Sequence, residues 1–154
     1  MKALGLILLL VFSVGAQTGK TREKTPERTW EQFNSTRLDY YYFNPDKMSK
    51  NGDLAEIWVK IVPKDNETWL RNLYDSLSVQ RTDAEIQKLA VKFSHALDKY
   101  LANCKTRRMS RTAQVLYDRD GMNIGGFNIS DETVKLYDVI PDSIGEAIWE
   151  RGCK

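Results

Sequence analysis

Residues 103–111 read NCKTRRMSR: Lys105, Arg107, Arg108 and Arg111 crowd behind Cys104 with no acid among them. Four fixed positive charges in so short a run suit an acidic protein segment, a sulfated polysaccharide or a phosphate backbone. In an extended strand Lys105, Arg107 and Arg111 fall on one face, because side chains alternate with a period of two. A competing account needs no ligand. Acids on neighbouring strands can pair with these cations, or a basic edge can simply block sheet-to-sheet association.

The other reactive side chains are few. The chain has two cysteines, Cys104 and Cys153, and a single histidine, His95. In an oxidising compartment an even cysteine count reads as a disulfide, Cys104–Cys153; a bridge between two copies or a pair of free thiols are the alternatives. Closing a loop of about fifty residues stabilises a domain by about 4 kcal/mol in the chain-entropy account. A Cys–His nucleophile would need Cys104 reduced, so His95 reads as a histidine near the end of a helix rather than a catalytic base. Two cysteines and one histidine lack the close spacing of a zinc site. Asp118-Arg119-Asp120-Gly121 reads as a turn rather than a calcium loop. There is no glycine-rich phosphate loop and no G-x-S-x-G elbow. The expectation is a non-enzymatic protein with no catalytic residues, no metal and no cofactor.

Composition narrows the partners. The 154 residues are 42% hydrophobic and 29% charged, with a net charge of +2, as in an ordinary soluble globule. So balanced a charge does not predict a nucleic-acid binder. The chain opens MKALGLILLLVFSVGAQ, with Lys2 ahead of an apolar run and Val14-Gly15-Ala16 as a small-residue cleavage pattern. This predicts a signal peptide over residues 1–16, since the run is shorter than the roughly 20 residues a membrane span requires. No cysteine follows to take a lipid. Residues 17–29 read as a flexible polar lead-in, and 30–154 as one domain.

The elements that must position the cations are read from periodicity. Residues 30–43 are aromatic-rich and turn extended near Arg37, Asn44-Pro45-Asp46 reads as a turn, and Asn51-Gly52 as a tight hairpin turn. LAEIWVKIV (54–62) alternates strictly and predicts a strand closed by Pro63. Tyr40, Tyr41, Tyr42 and Trp58 read as core packing, with an aromatic ligand groove as the alternative. Trp69 to Leu77 recur at helical spacing. A capping box, Thr82 with Glu85, opens a second helix whose stripe runs through Ile86, Leu89, Ala90, Phe93 and Leu97. A long strand over 105–117, two short ones within 122–129 and 134–140, and a terminal helix capped by Ser143 and Glu146 complete the reading. So short a helix is marginal alone, and Cys153 is placed to hold it.

In order, DYYYFNPDKM, IWVK, NCKTRR, YDRDG and PDSIGEAIWERGC resemble the bacterial surface-adhesin protein E family over residues 30–153. The resemblance implies an α+β fold: an antiparallel sheet of about six strands with a C-terminal helix tethered to it by a disulfide, here Cys104–Cys153. Residues 66–95 read as a helical insertion in that core. It further implies an exported protein that binds host or matrix proteins and can form a homodimer; with the cation run, this suggests a macromolecular partner, a protein or an acidic polysaccharide, met in the periplasm or at the cell surface. Lys105, Arg107, Arg108 and Arg111 are the partner-binding residues this suggests. The alternative is a periplasmic accessory subunit that pairs through a strand edge.

Overall fold

A computed structural model of the chain describes residues 29–76, 82–130 and 133–154. The expected signal peptide and most of the polar lead-in lie outside the described residues. In chain order the elements are β1 (Glu31–Ser35), β2 (Asp39–Asn51), β3 (Leu54–Pro63), α1 (Asn66–Ser76), α2 (Asp83–Lys92), β4 (Phe93–Asn103), β5 (Arg108–Asp118), β6 (Asn123–Asn128), β7 (Tyr137–Asp138) and α3 (Ile144–Cys153). The fold is α+β, as expected. Strands β1 to β6 lie side by side in sequence order, all antiparallel, and β7 pairs with β5. Since β4 flanks the whole of β5 on one side, β6 and β7 share its other edge, β6 against Ala113–Tyr117 and β7 against Arg108 and Met109.

Strand β3 shows why the sheet forms. Ala55, Ile57, Val59 and Ile61 are buried while Glu56, Trp58 and Lys60 between them keep solvent contact. Gly52, at a φ of 59°, supplies the left-handed turn that joins it to β2. The buried set continues through Tyr41 and Phe43 on one side and Ala96 and Ala102 on the other, so one sheet face builds the core.

Three expectations change. Asn44-Pro45-Asp46 is not a turn but an irregularity inside a continuous β2, where the register slips between Phe43 and Met48. The buried Asn44 side chain accepts the Asp46 N–H at 2.9 Å, so the proline sits at a bulge, where its missing N–H is harmless. The aromatic-rich segment is two strands, β1 and β2. The third change is the largest. Helix α2 has its capping box, with Thr82 and Glu85 bonding reciprocally, but it ends at Lys92, and Phe93 is already extended at φ −60° and ψ 139°. His95 and Leu97 therefore stand on strand β4. Pairing with β3 and β5 along both edges outweighs the local helical stripe.

Helices α1 and α2 close one end of the core. Trp69 stacks on Phe93 at 4.9 Å, and Asn66 Nδ2 donates to the carbonyls of Ala90 and Phe93. Helix α3 covers β3 and β4. Ser143 Oγ accepts the Glu146 N–H, as a cap should, but Glu146 reaches back to the N–H of Asp142 rather than to that of Ser143. Ile148 and Gly152 face the core, and a Cβ on Gly152 would overlap Cγ1 and Cδ1 of the fully buried Ile57. This sets up a contest of two effects. Gly152→Ala gains about 1 kcal/mol of helix propensity, whereas overpacking a filled core costs about 1–3 kcal/mol. Ile57 has neighbouring strands on both sides and nowhere to swing, so we expect a net loss of about 1–2 kcal/mol in urea unfolding. A more stable variant would mean that α3 is not seated on Ile57.

Candidate functional site

The cationic segment is built differently from a straight stripe. Residues 104–107 form the turn between β4 and β5, and the strand starts only at Arg108. Asn103 Oδ1 accepts the N–H groups of Lys105 and Thr106, and Arg107 takes a left-handed φ of 53°, which together reverse the chain. Lys105 and Arg107 consequently do not share a strand face with Arg111. The four-residue connection requires a turn where the alternating pattern suggested continuous strand.

Each arginine meets an acid. Arg107 pairs with Glu146 of α3 and lies over the Trp149 ring, 5.4 Å from its centre. Arg108 Nε donates to Asp138 of β7 at 2.7 Å. Arg111 donates to Asp98 Oδ2 at 3.1 Å and covers Phe127. Lys105 stays exposed. The turn also moors α3: Cys104 is bonded to Cys153, Trp149 Nε1 donates to the Asn103 carbonyl, and Val139 N–H donates to that of Arg107. Arg107 and Arg108 remain about half exposed, at 46% and 54%. Ion pairs so wet contribute about 0–1 kcal/mol each, so an acidic partner can displace their carboxylates at little cost.

Arg111 differs because Asp98 is completely buried. Asp98 also accepts from Gln114 Nε2 at 2.7 Å and from the Tyr100 hydroxyl at 3.3 Å. Burial pushes its carboxyl above the usual range, opposed by the charge of Arg111 and by the hydrogen bonds from Gln114, Arg111 and Tyr100. Burial raises Tyr100 as well, helped by the adjacent Asp98 charge. Close by, Asp39 is buried and raised for the same reason, and it accepts from the Tyr41 hydroxyl at 3.2 Å. This polar network was not foreseen. Its signal, an acid amid the alternating Ala96, Asp98, Tyr100 and Ala102, becomes visible only once β4 is a strand.

The expected inert chemistry of His95 can be placed. Its ring stacks on Tyr117 at 5.2 Å, and Nδ1 lies 3.1 Å from Ser94 Oγ. Burial, with the charge of Lys60 adding, holds its pKa below the ordinary value. Cys104 carries no thiol, so the two cannot form a nucleophilic pair.

The opposite sheet face is apolar in its middle yet takes no part in the core. Trp58, Leu97, Val115 and Tyr117 project there, Leu97 directly opposite Val115, and none belongs to the core cluster. Of the aromatic group expected to pack inside, only Tyr41 does; Tyr40, Tyr42 and Trp58 lie on this face. With Trp30 and Lys47 the four line a hollow of about 180 Å³.

The sequence that builds this meandering sheet, basic β4–β5 turn and disulfide-bound last helix can be compared with known families. The model of the surface-adhesin protein E family matches residues 30–154. The chain belongs to that family. The match spans every element from β1 to α3. Among curated proteins and among solved structures nothing matches. Membership of the surface-adhesin protein E family points to a surface or exported protein with an adhesin-like binding role. The disulfide fits an extracytoplasmic setting, and no helix among the described residues is long and apolar enough to cross a membrane.

Proposed function

We propose that the chain is an exported, non-enzymatic binding protein of the periplasm or cell surface, released from its leader after Ala16. It engages a macromolecular partner, a protein or an acidic polysaccharide, through its sheet and the basic segment Lys105, Arg107, Arg108 and Arg111. The observation that carries this reading is the family match across the whole domain. The half-exposed arginines support it, since they can exchange an internal carboxylate for an external one.

Within the segment the work divides. Arg107 and Arg111 fasten α3 and the core, so removing them confounds binding with folding. Lys105 and Arg108 can be removed with the frame intact. Solid-phase binding to matrix proteins should therefore weaken by about tenfold in Lys105→Ala/Arg108→Ala, the loss of two partly screened charge contacts. Binding that is unchanged in this variant counts against the segment. Absence of any macromolecular binding by the wild-type chain counts against the function.

A second reading has its own observation: among the described residues no strand pairs with the outer edge of β1 or β6. An accessory subunit or homodimer could form by strand addition there. Light scattering over a range of concentrations separates the two, since a constant monomer mass excludes self-pairing.

A further inference from the structure

The sheet face that no helix covers among the described residues carries more than one hollow. The hollow walled by Trp30, Trp58, Leu97, Val115 and Tyr117 adjoins a second of about 230 Å³, and the two share Lys47 and Trp58. The second adjoins a third of about 420 Å³, which runs to Leu54 and Leu101 and shares Ser49 and Glu56 with it. On β4 the series extends from Leu97 to Leu101, about 13 Å at about 3.3 Å per residue. It forms a trough along the strands rather than a closed cavity, and its far end points at the basic turn, where Asn103 pairs with Arg108.

Two physical features select the occupant. The first is that β3 and β4 are interior strands whose backbone groups are already paired on both edges. A ligand on their face gains no main-chain ladder, so strand addition by a peptide is excluded there and side chains must supply the binding. The available side chains include the aromatic residues Trp30, Trp58 and Tyr117, and an electron-rich ring face takes the electron-poor C–H face of a sugar ring; one face of Tyr117 already stacks on His95, so Trp58 carries the larger share. The second is charge. Lys47 lines the hollow, Lys60 lies across from Leu97, and Lys99 lies across from Trp58. The acids present are Asp46 and Glu56; Glu56 and Lys99 pair at 2.7 Å and cancel, so Lys47 and Lys60 against Asp46 leave an excess of one positive charge. Lys105 continues the positive charge beyond Leu101, and Arg108, in a wet pair with Asp138, can exchange that carboxylate for an external anion.

We propose that this trough binds an acidic polysaccharide, its rings stacked on Trp58 and Tyr117 and its carboxylates or sulfates directed at Lys47, Lys60 and the basic turn. The inference rests on the binding role proposed above and names its ligand class. It moves the main contact from the turn to the open face, with the turn as an extension.

A heparin-derived octasaccharide is the probe, with a neutral cello-oligosaccharide of equal length as control, measured by calorimetry and by the NMR signal of His95, the sole histidine. His95 stacks on Tyr117 and so reports occupancy. The heparin fragment should bind and shift the His95 signal. Trp58→Leu should weaken it at least tenfold, and Lys47→Gln/Lys60→Gln at least threefold with a shallower salt dependence. The lysine pair guards against a fold change in the tryptophan variant. Heparin affinity that ignores both variants but falls in Lys105→Ala/Arg108→Ala overturns the trough and leaves the binding function standing. Equal affinity for the neutral control overturns the acidic class. His95 signals that move when the protein alone is diluted make a second copy the occupant, and deglycosylated matrix protein that binds through Trp58 makes it a polypeptide; either result overturns the proposal.

Discussion

Cys153→Ser should lower the stability of the domain by about 4 kcal/mol, enough to bring its melting temperature down by about 10 °C or more. The bond spans a sequence separation of 49, and its loss returns that loop entropy to the unfolded chain. A second contribution is local. Helix α3 has ten residues, below the length at which an isolated helix persists, and it meets the core through Ile144, Ile148 and Trp149, with the Gly152 backbone close against Ile57. Without the bond, that packing, the Arg107–Glu146 pair and the Trp149 hydrogen bond must hold it. Hydrogen exchange should accordingly show α3 amides losing protection before those of β3 and β4. Reduction of the wild-type chain should reproduce the variant. A loss below about 1 kcal/mol, or protection that falls uniformly, would show that α3 is held by packing and not by the bond.

Local pattern was a sound guide wherever one element carries its own signal. Strand β3 declares itself because Ala55, Ile57, Val59 and Ile61 alternate with Glu56, Trp58 and Lys60 between Gly52 and Pro63, and the α2 capping box because its two partners are three residues apart. The disulfide was legible by counting. Strand β4 was not, since Ile86, Leu89, Ala90, Phe93 and Leu97 fit a helix, and what extends the chain at Phe93 is pairing with strands that are remote in sequence. That one boundary hid the most. With β4 misread, Asp98 had no face, Arg111 had no partner, and His95 was left on a helix away from Tyr117. The cations show the same limit from the other side. Their number was plain, but that the three arginines pair with Glu146, Asp138 and Asp98 depends on where α3, β7 and β4 come to rest. The aromatic group read as core rather than as a ligand groove because Trp58 and Tyr42 look alike in sequence whether they fill a core or line a trough.

Arg111→Ala should cost about 3 kcal/mol at neutral pH, because it strands a buried carboxylate. Breaking a buried pair by removing one partner typically costs about 3–5 kcal/mol; the low end applies here because Arg111 is 35% exposed and Gln114 and Tyr100 still donate to Asp98. The pH dependence follows from the direction of the shift. Asp98 is held above its ordinary 3.8 by burial, and the guanidinium is the strongest influence opposing that rise, so the variant raises it further. A carboxyl raised on folding takes up its proton at higher pH in the folded state than in the unfolded one. The penalty is therefore full above the folded pKa and shrinks as pH falls through it toward the unfolded value. The stability gap between wild type and variant should narrow on acidification from neutral pH toward about pH 4. Asp98→Asn on the Arg111→Ala background should recover much of the loss at neutral pH, since an amide carries no charge to strand, and little at low pH. A gap that stays constant with pH would mean Arg111 acts by packing over Phe127 rather than by neutralising Asp98. The same measurement bears on binding: an affinity lost in Arg111→Ala but kept once Asp98→Asn restores the fold belongs to the core, and one still missing belongs to the partner's contact with the guanidinium.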